Sequence, residues 1–310
     1  MRWAVAGADE GGHRCAFVLG GGGALGAYEV GMLKALLEAG YRPDLVVGAS
    51  VGAVNGAVVA ADPSVRAVGR LAELWTGLGR AGVFSAPLWR RVGTAARSRT
   101  HLYSHEPLRR MLEEDLPGVP MESLAVPFQC VAACIEEASE HWFTEGPVVP
   151  AVLASSAVPG LLPPVRIGDR HFLDGGLVNS IPVGRAVALG AREVFVLQVG
   201  RVEQALQPPR HPAEVAAVAF EIARRHRFAR DMSDLPGSVA VHVLPTGAAG
   251  QARPGSRGWW RHQTFAAAEE RIERAYRASL GYLETLAESG TGAAGAPGAP
   301  GAPGADRGGA

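Results

Sequence analysis

The chain is poor in cysteine. Cys15, Cys130 and Cys134 are the only three. That is too few for a disulfide framework, and Cys130 and Cys134 have no His or Cys partners at zinc-site spacing. They read as apolar strand residues. Lysine is nearly absent: Lys34 stands alone and every other basic residue is arginine. With so much Ala, Gly and Pro, this reflects a GC-rich coding bias and not a function. Net charge is absent as well, since 30 basic residues balance 30 acidic ones. No global field therefore draws the chain to nucleic acid. No apolar run reaches the roughly 18 residues that read as a spanning helix. Residues 1–13 mix charge with glycine around no apolar centre, so they read as a loose leader and not as a signal peptide. No metal-ligand cluster is visible, and neither a metal nor a cofactor is expected. These absences lead to the expectation of a soluble cytoplasmic protein.

What is present is a core. Hydrophobic residues make up 47% of the chain. The organising stretch runs from Cys15 to Ala61. Cys15-Ala-Phe-Val-Leu-Gly20 reads as a strand and Gly21-Gly-Gly-Ala-Leu-Gly26 as a loop. A helix follows over roughly 27–39. Leu45-Val-Val then runs into Gly48-Ala-Ser-Val-Gly52, a Gly-x-Ser-x-Gly match, and a small-residue helix leaves it. A serine on so tight a strand-to-helix turn has its hydroxyl pushed outward. Glycines flank it because a Cβ would clash in the bend. The helix behind Ser50 points free N–H groups at the same spot, and the glycine loop offers more. One nucleophile and two sets of anion-stabilising donors is the layout acyl transfer needs.

Further along, helices are expected over 63–77 and 105–116. A strand is expected over 126–135, with a hairpin partner at His141-Trp-Phe-Thr144. A short helix over 150–157 precedes a hairpin whose two-residue turn is Gly168-Asp169. A helix over 184–189, a strand over 193–199, a long helix over 213–232 and a strand over 239–244 follow. A terminal helix over 263–286 completes the domain. Alternating strands and helices argue a mostly parallel sheet covered on both faces. Residues 78–104 and the Trp259-Trp260 loop read as irregular segments at a lid or a lipid surface, or as ordinary surface. Three Gly-Ala-Pro triplets beyond Gly290 mark a disordered tail. The domain reading is a leader over 1–13, a domain over 14–288 and a tail over 289–310.

The hairpin delivers Asp174 into Gly175-Gly176, which leaves its carboxylate uncovered at a turn. A hydrolase triad needs a histidine downstream. His211, His226, His242 and His262 are present, but none sits on a glycine-rich loop. The serine turn also comes too early for an ordinary α/β-hydrolase sheet. A Ser-Asp dyad fits better.

Four stretches carry a resemblance, in order. They are Gly20-Gly-Gly-Gly-Ala-Leu-Gly26, Gly48-Ala-Ser-Val-Gly52 with Ala53 to Asn55 behind it, Ala154-Ser-Ser-Ala-Val-Pro-Gly-Leu-Leu-Pro-Pro164 and Leu173-Asp-Gly-Gly-Leu-Val-Asn179 with Pro182. The sequence is similar to bacterial patatin-like phospholipases. The resemblance implies a three-layer α/β/α fold and a Ser-Asp dyad that hydrolyses acyl esters of lipids. Ser50 matches the nucleophile and Asp174 the proton acceptor. Gly21, Gly22 and Gly23 match the oxyanion hole, to which the Val51 amide adds a donor. Gly26, Gly48, Gly52, Gly175 and Gly176 are the motif glycines. A lipid ester is the implied substrate, with peripheral contact to a membrane surface as an open possibility. Many members of that family carry Arg or Lys where this chain has Leu25. That departure makes a neutral-lipid or general carboxylesterase the alternative.

Two other readings remain. Gly21-x-Gly23-x-x-Gly26 formally matches the dinucleotide fingerprint, but the next strand ends in Gly48-Ala-Ser and lacks the acid that would hold a ribose. A non-catalytic lipid-binding protein on the same fold is the other. Nothing in the Ser50 and Asp174 region favours it.

Overall fold

The computed structural model describes residues 15–81, 101–199, 205–248 and 267–293. The leader, residues 82–100, His262 and the Trp259-Trp260 loop lie outside them, as does the tail beyond Ala293.

Among the described residues, eight strands form one sheet. They are β1 (Cys15–Leu19), β2 (Leu45–Ala49), β3 (Phe128–Cys134), β4 (Ser139–Phe143), β5 (Val165–Ile167), β6 (Arg170–Asp174), β7 (Glu193–Leu197) and β8 (Ala240–Val243). The helices are α1 (Ala27–Glu38), α2 (Val51–Ala61), α3 (Val65–Ala81), α4 (Glu106–Asp115), α5 (Val148–Ser155), α6 (Gly176–Asn179), α7 (Val183–Ala188), α8 (Pro212–Ser233) and α9 (Ala268–Ala293).

The apolar run of β1 is buried at all five positions. That is the signature of a strand covered on both faces. Its side chains alternate between two cores. Cys15, Phe17 and Leu19 pack with residues of α1, α2, α3, α5 and α9. Ala16 and Val18 pack with Val183 and Ala186 of α7 and Phe228 of α8. The result is three layers, helix on sheet on helix. Strands β3, β2, β1, β7 and β8 run parallel in that order. Strands β4 and β6 pair antiparallel with β3, and β5 pairs antiparallel with β6 at the sheet edge.

One strand sets the geometry of the site. A strand residue pairs on two edges only. Along one edge of β3, residues 130–134 pair with β4. Along the other, β2 pairs first, with Ala49 opposite Val131, and β6 follows, with Asp174 opposite Ala132. Because β2 runs parallel to β3 and β6 antiparallel, their C-terminal ends meet there. One of those ends leads into Ser50. The other is Asp174.

Several elements differ from the sequence expectation: α3 continues to Ala81, into the stretch read as irregular, and the glycine loop holds a 3-10 turn over Gly23–Gly26. Asp174 is followed by the short helix α6 and not by a plain turn. Helix α9 begins at Ala268 and continues past Leu286 to Ala293. Thr285 and Ser289 turn their hydroxyls back onto the carbonyls of Gly281 and Thr285.

Candidate active site

Ser50 has φ 54° and ψ −126°. A non-glycine residue at positive φ is strained, at a cost on the order of 1–3 kcal/mol, and persists only where its surroundings hold it. Two serines hold it here. Ser155 Oγ accepts the Ser50 N–H at 2.9 Å. Ser156 Oγ donates to the Ser50 carbonyl at 3.1 Å. Both belong to the Ala154-Ser-Ser stretch, to which sequence reasoning assigned no role. Gly52 lets α2 leave the turn, since a Cβ there would lie 2.3 Å from the Leu19 carbonyl oxygen. Gly48 lies beneath, paired with Leu19 in the sheet.

Ser50 Oγ donates to Asp174 Oδ2 at 2.6 Å. The two residues are 124 positions apart in sequence. The other carboxylate oxygen, Oδ1, accepts the Gly176 N–H at 2.7 Å. Asp174 is itself anchored, with its N–H on the Ala157 carbonyl and the Gly175 N–H on the Ser155 carbonyl, both at 2.9 Å. Gly175 lies against the sheet; a Cβ there would stand 2.1 Å from the Val131 carbonyl oxygen. Asp174 is 4% exposed and Ser50 6%. Burial pushes the Asp174 carboxyl up to about 6, against the lowering effect of its bonds to Ser50 and Gly176. A carboxylate with that affinity is a serviceable base near neutral pH.

No histidine joins them among the described residues. His242 sits in β8 with its ring stacked on Phe195, 5.0 Å between centroids. His211 precedes α8, and His226 lies along it.

The glycine turn lies beside Ser50. Residues Gly23–Gly26 form a 3-10 turn that leads into α1. The Gly21 N–H does not face the site, because it donates to the Ser180 carbonyl at 2.9 Å. Gly21 therefore drops out of the donor set expected from sequence. Within the described residues the amides of Gly22, Gly23 and Val51 meet no acceptor. Val51 is the first residue of α2, where a helix leaves its N–H groups open.

A buried polar chain braces the turn from below. Asn55 Nδ2 donates to the Gly26 carbonyl at 3.1 Å and to Glu29 Oε2 at 2.8 Å. Trp75 Nε1 donates to Asn55 Oδ1 at 2.9 Å. Burial holds the Glu29 carboxyl well above the usual carboxylate range. From α9, the buried Arg271 donates to the Ala24 carbonyl at 3.2 Å. Leu25 packs against the first core. Asn55 lies directly behind the serine motif and Trp75 on the apolar face of a helix expected from sequence, but no role at the glycine turn is legible for either, nor for Arg271.

A strand-to-helix serine is hydrogen-bonded to a buried carboxylate, with unpartnered amides alongside. A family model for patatin-like phospholipases matches residues 17–187. The chain belongs to the patatin-like phospholipase family. Its mostly parallel sheet between helical layers is the family's α/β fold. Lysophospholipase nte1 of Aspergillus terreus is 32% identical over 193 residues, covering 62% of this chain and 12% of that protein. Neuropathy target esterase sws of Drosophila melanogaster is 30% identical over 191 residues, covering 61% of this chain and 13% of that protein. The chain thus spans about an eighth of the length of these relatives. They are fungal and animal proteins, so the bacterial character expected from the motifs is not carried by them. Among solved structures, VipD from Legionella pneumophila covers 88% of this chain and 67% of its own, with TM-score 0.44 and 13% identity.

Proposed function

We propose that this protein is a serine acyl hydrolase of lipid carboxylic esters, of the phospholipase A or lysophospholipase kind, working through a Ser50–Asp174 dyad. The observation that carries the reading is the 2.6 Å hydrogen bond from Ser50 Oγ to a carboxylate shielded from water. Asp174 takes the Ser50 proton as the oxygen attacks the ester carbonyl. The amides of Gly22, Gly23 and Val51 hold the oxyanion. The alcohol or lysolipid leaves with the proton. Water, activated by Asp174, then releases the acyl group as the free acid. Residues 14–288 form the hydrolase unit, which works in the cytoplasm against a lipid surface. No helix among the described residues is long and apolar enough to cross a membrane.

A second reading, a neutral-lipid or general carboxylesterase, is favoured by Leu25. Its apolar side chain packs against the core and offers a phosphate no charge.

A p-nitrophenyl butyrate assay on wild type, Ser50→Ala and Asp174→Asn tests the dyad. Turnover in wild type and its loss in both variants is expected, with a fluorophosphonate probe labelling Ser50. Full activity in Ser50→Ala would sink it. Lysophospholipid and monoacylglycerol tried side by side then separate the two readings.

A further inference from the structure

One buried hydroxyl beside the pair lacks a partner. Ser180 caps the end of α6 and is 3% exposed. Its Oγ makes no hydrogen bond among the described residues. Buried hydroxyls are nearly always bonded, so an orphan beside a reactive serine asks what polar group it awaits.

Two glycines locate it. A Cβ on Gly21 would sit 3.1 Å from Ser180 Oγ and 3.3 Å from Ser50 Cβ. A Cβ on Gly176 would sit 2.9 Å from Asp174 Oδ1, 3.2 Å from Phe220 Cζ and 3.6 Å from Ser180 Oγ. Neither residue has one. Ser180 Oγ therefore lies near both Ser50 and Asp174, and the residue between it and each of them is a glycine with no side chain. The backbone fixes Ser180 there through the Gly21 N–H on its carbonyl. Asp174 Oδ1 accepts a single hydrogen bond, from Gly176, and keeps a lone pair. A hydroxyl and a carboxylate oxygen near one another, each with bonding capacity to spare, are the partners that a water molecule needs.

We propose that Ser180 is a positioning residue for the hydrolytic water, holding it with Asp174 against the Ser50 acyl-enzyme. The proposal rests on the dyad reading above. The water oxygen bonds to the acyl carbon and one of its protons passes to Asp174. Its other proton stays on that oxygen and is held by Ser180 Oγ. Collapse of the tetrahedral intermediate breaks the bond to Ser50 Oγ, which recovers the proton from Asp174. The free acid departs, and Ser180 has kept its own proton throughout. Acylation consumes no water, so Ser180 acts only in the second half. Methanol, which has a methyl group in place of the second proton, makes no use of Ser180.

The test is partitioning. The full chain turns over p-nitrophenyl butyrate in a fixed concentration of methanol, and butyric acid and methyl butyrate are quantified. In Ser180→Ala, kcat/KM is expected within about twofold of wild type. The ester-to-acid ratio rises about tenfold, the loss of one ordinary hydrogen bond. Ser180→Thr restores the wild-type ratio. Deleting an unpaired buried hydroxyl leaves Tm the same or higher, so folding does not confound the result. An unchanged ratio in Ser180→Ala overturns the proposal, as does a fall in kcat/KM with the ratio unmoved. A Thr variant that partitions like Ala counts against it too. Equal turnover by wild type and Ser50→Ala instead removes the dyad, and this proposal with it.

Discussion

Ser155 accepts the backbone N–H of Ser50 across 105 residues of chain. Its side chain is fully buried. Ser155→Ala leaves that N–H unpaired beside a strained turn. The expected cost is about 1–3 kcal/mol. Thermal unfolding of the two proteins checks it. Ester turnover falls as well, because the turn that aims the hydroxyl loosens. A variant with wild-type Tm and wild-type kcat would show that the turn holds itself.

The Asp174 carboxyl titrates near 6 in the folded chain, against an ordinary value of 3.8. The base form is present above that pH, so kcat/KM falls about tenfold per pH unit below 6. The sign for stability runs the other way. The folded state binds this proton more tightly, so the contribution is full below 3.8 and lost as pH rises through about 6. The loss is on the order of 3 kcal/mol. Asp174→Asn cannot titrate. Relative to wild type it is expected to be more stable at pH 8 than at pH 4, while its activity drops by about a hundredfold or more. Denaturant unfolding at both pH values reads the difference; equal differences would refute the buried-carboxylate argument.

Two glycines provide a matched pair. A Cβ on Gly175 meets the Val131 carbonyl oxygen at 2.1 Å, and neither backbone yields easily. Gly175→Ala is expected to cost about 1–3 kcal/mol and to displace Asp174. Gly69 lies exposed in α3 with nothing within 4 Å of its Cβ position. Gly69→Ala is expected to stabilise by about 0.4–1 kcal/mol. Calorimetric Tm values of opposite sign confirm the contrast.

Asn55 is fully buried and joins three partners: Gly26, Glu29 and Trp75. Asn55→Ala removes the acceptor of the Trp75 N–H and the donor to Glu29 Oε2 together. A loss of at least about 2 kcal/mol is expected. Trp75 emission should shift as its N–H changes partner. Fluorescence spectra below the unfolding transition test this, and an unmoved spectrum would argue against the chain of bonds.

The sequence announces what is local. Gly48-Ala-Ser-Val-Gly52 sits between an apolar strand and a small-residue helix, and those neighbours identify the turn. Asp174 is legible because a hairpin with a Gly-Asp turn aims it at two glycines. The amphipathic helices and buried strands follow from residue periodicity. What was hidden is what depends on distant chain. Ser155 and Ser156 look like ordinary small polar residues until folding brings them to Ser50. The Gly21 amide looks like any other in the glycine loop until the Ser180 carbonyl claims it. Arg271 sits in a helix rich in ion-paired arginines, and only its burial against Ala24 sets it apart.

The meeting of β2 and β6 on one edge of β3 makes a third strand the spacer for the pair. The separation of the hydroxyl and the carboxylate is registered to the single peptide between Val131 and Ala132. One extra residue inserted there would push the two ends apart by about 3.3 Å, the rise of one strand residue. Neither reactive residue, nor either strand that bears it, would have been altered.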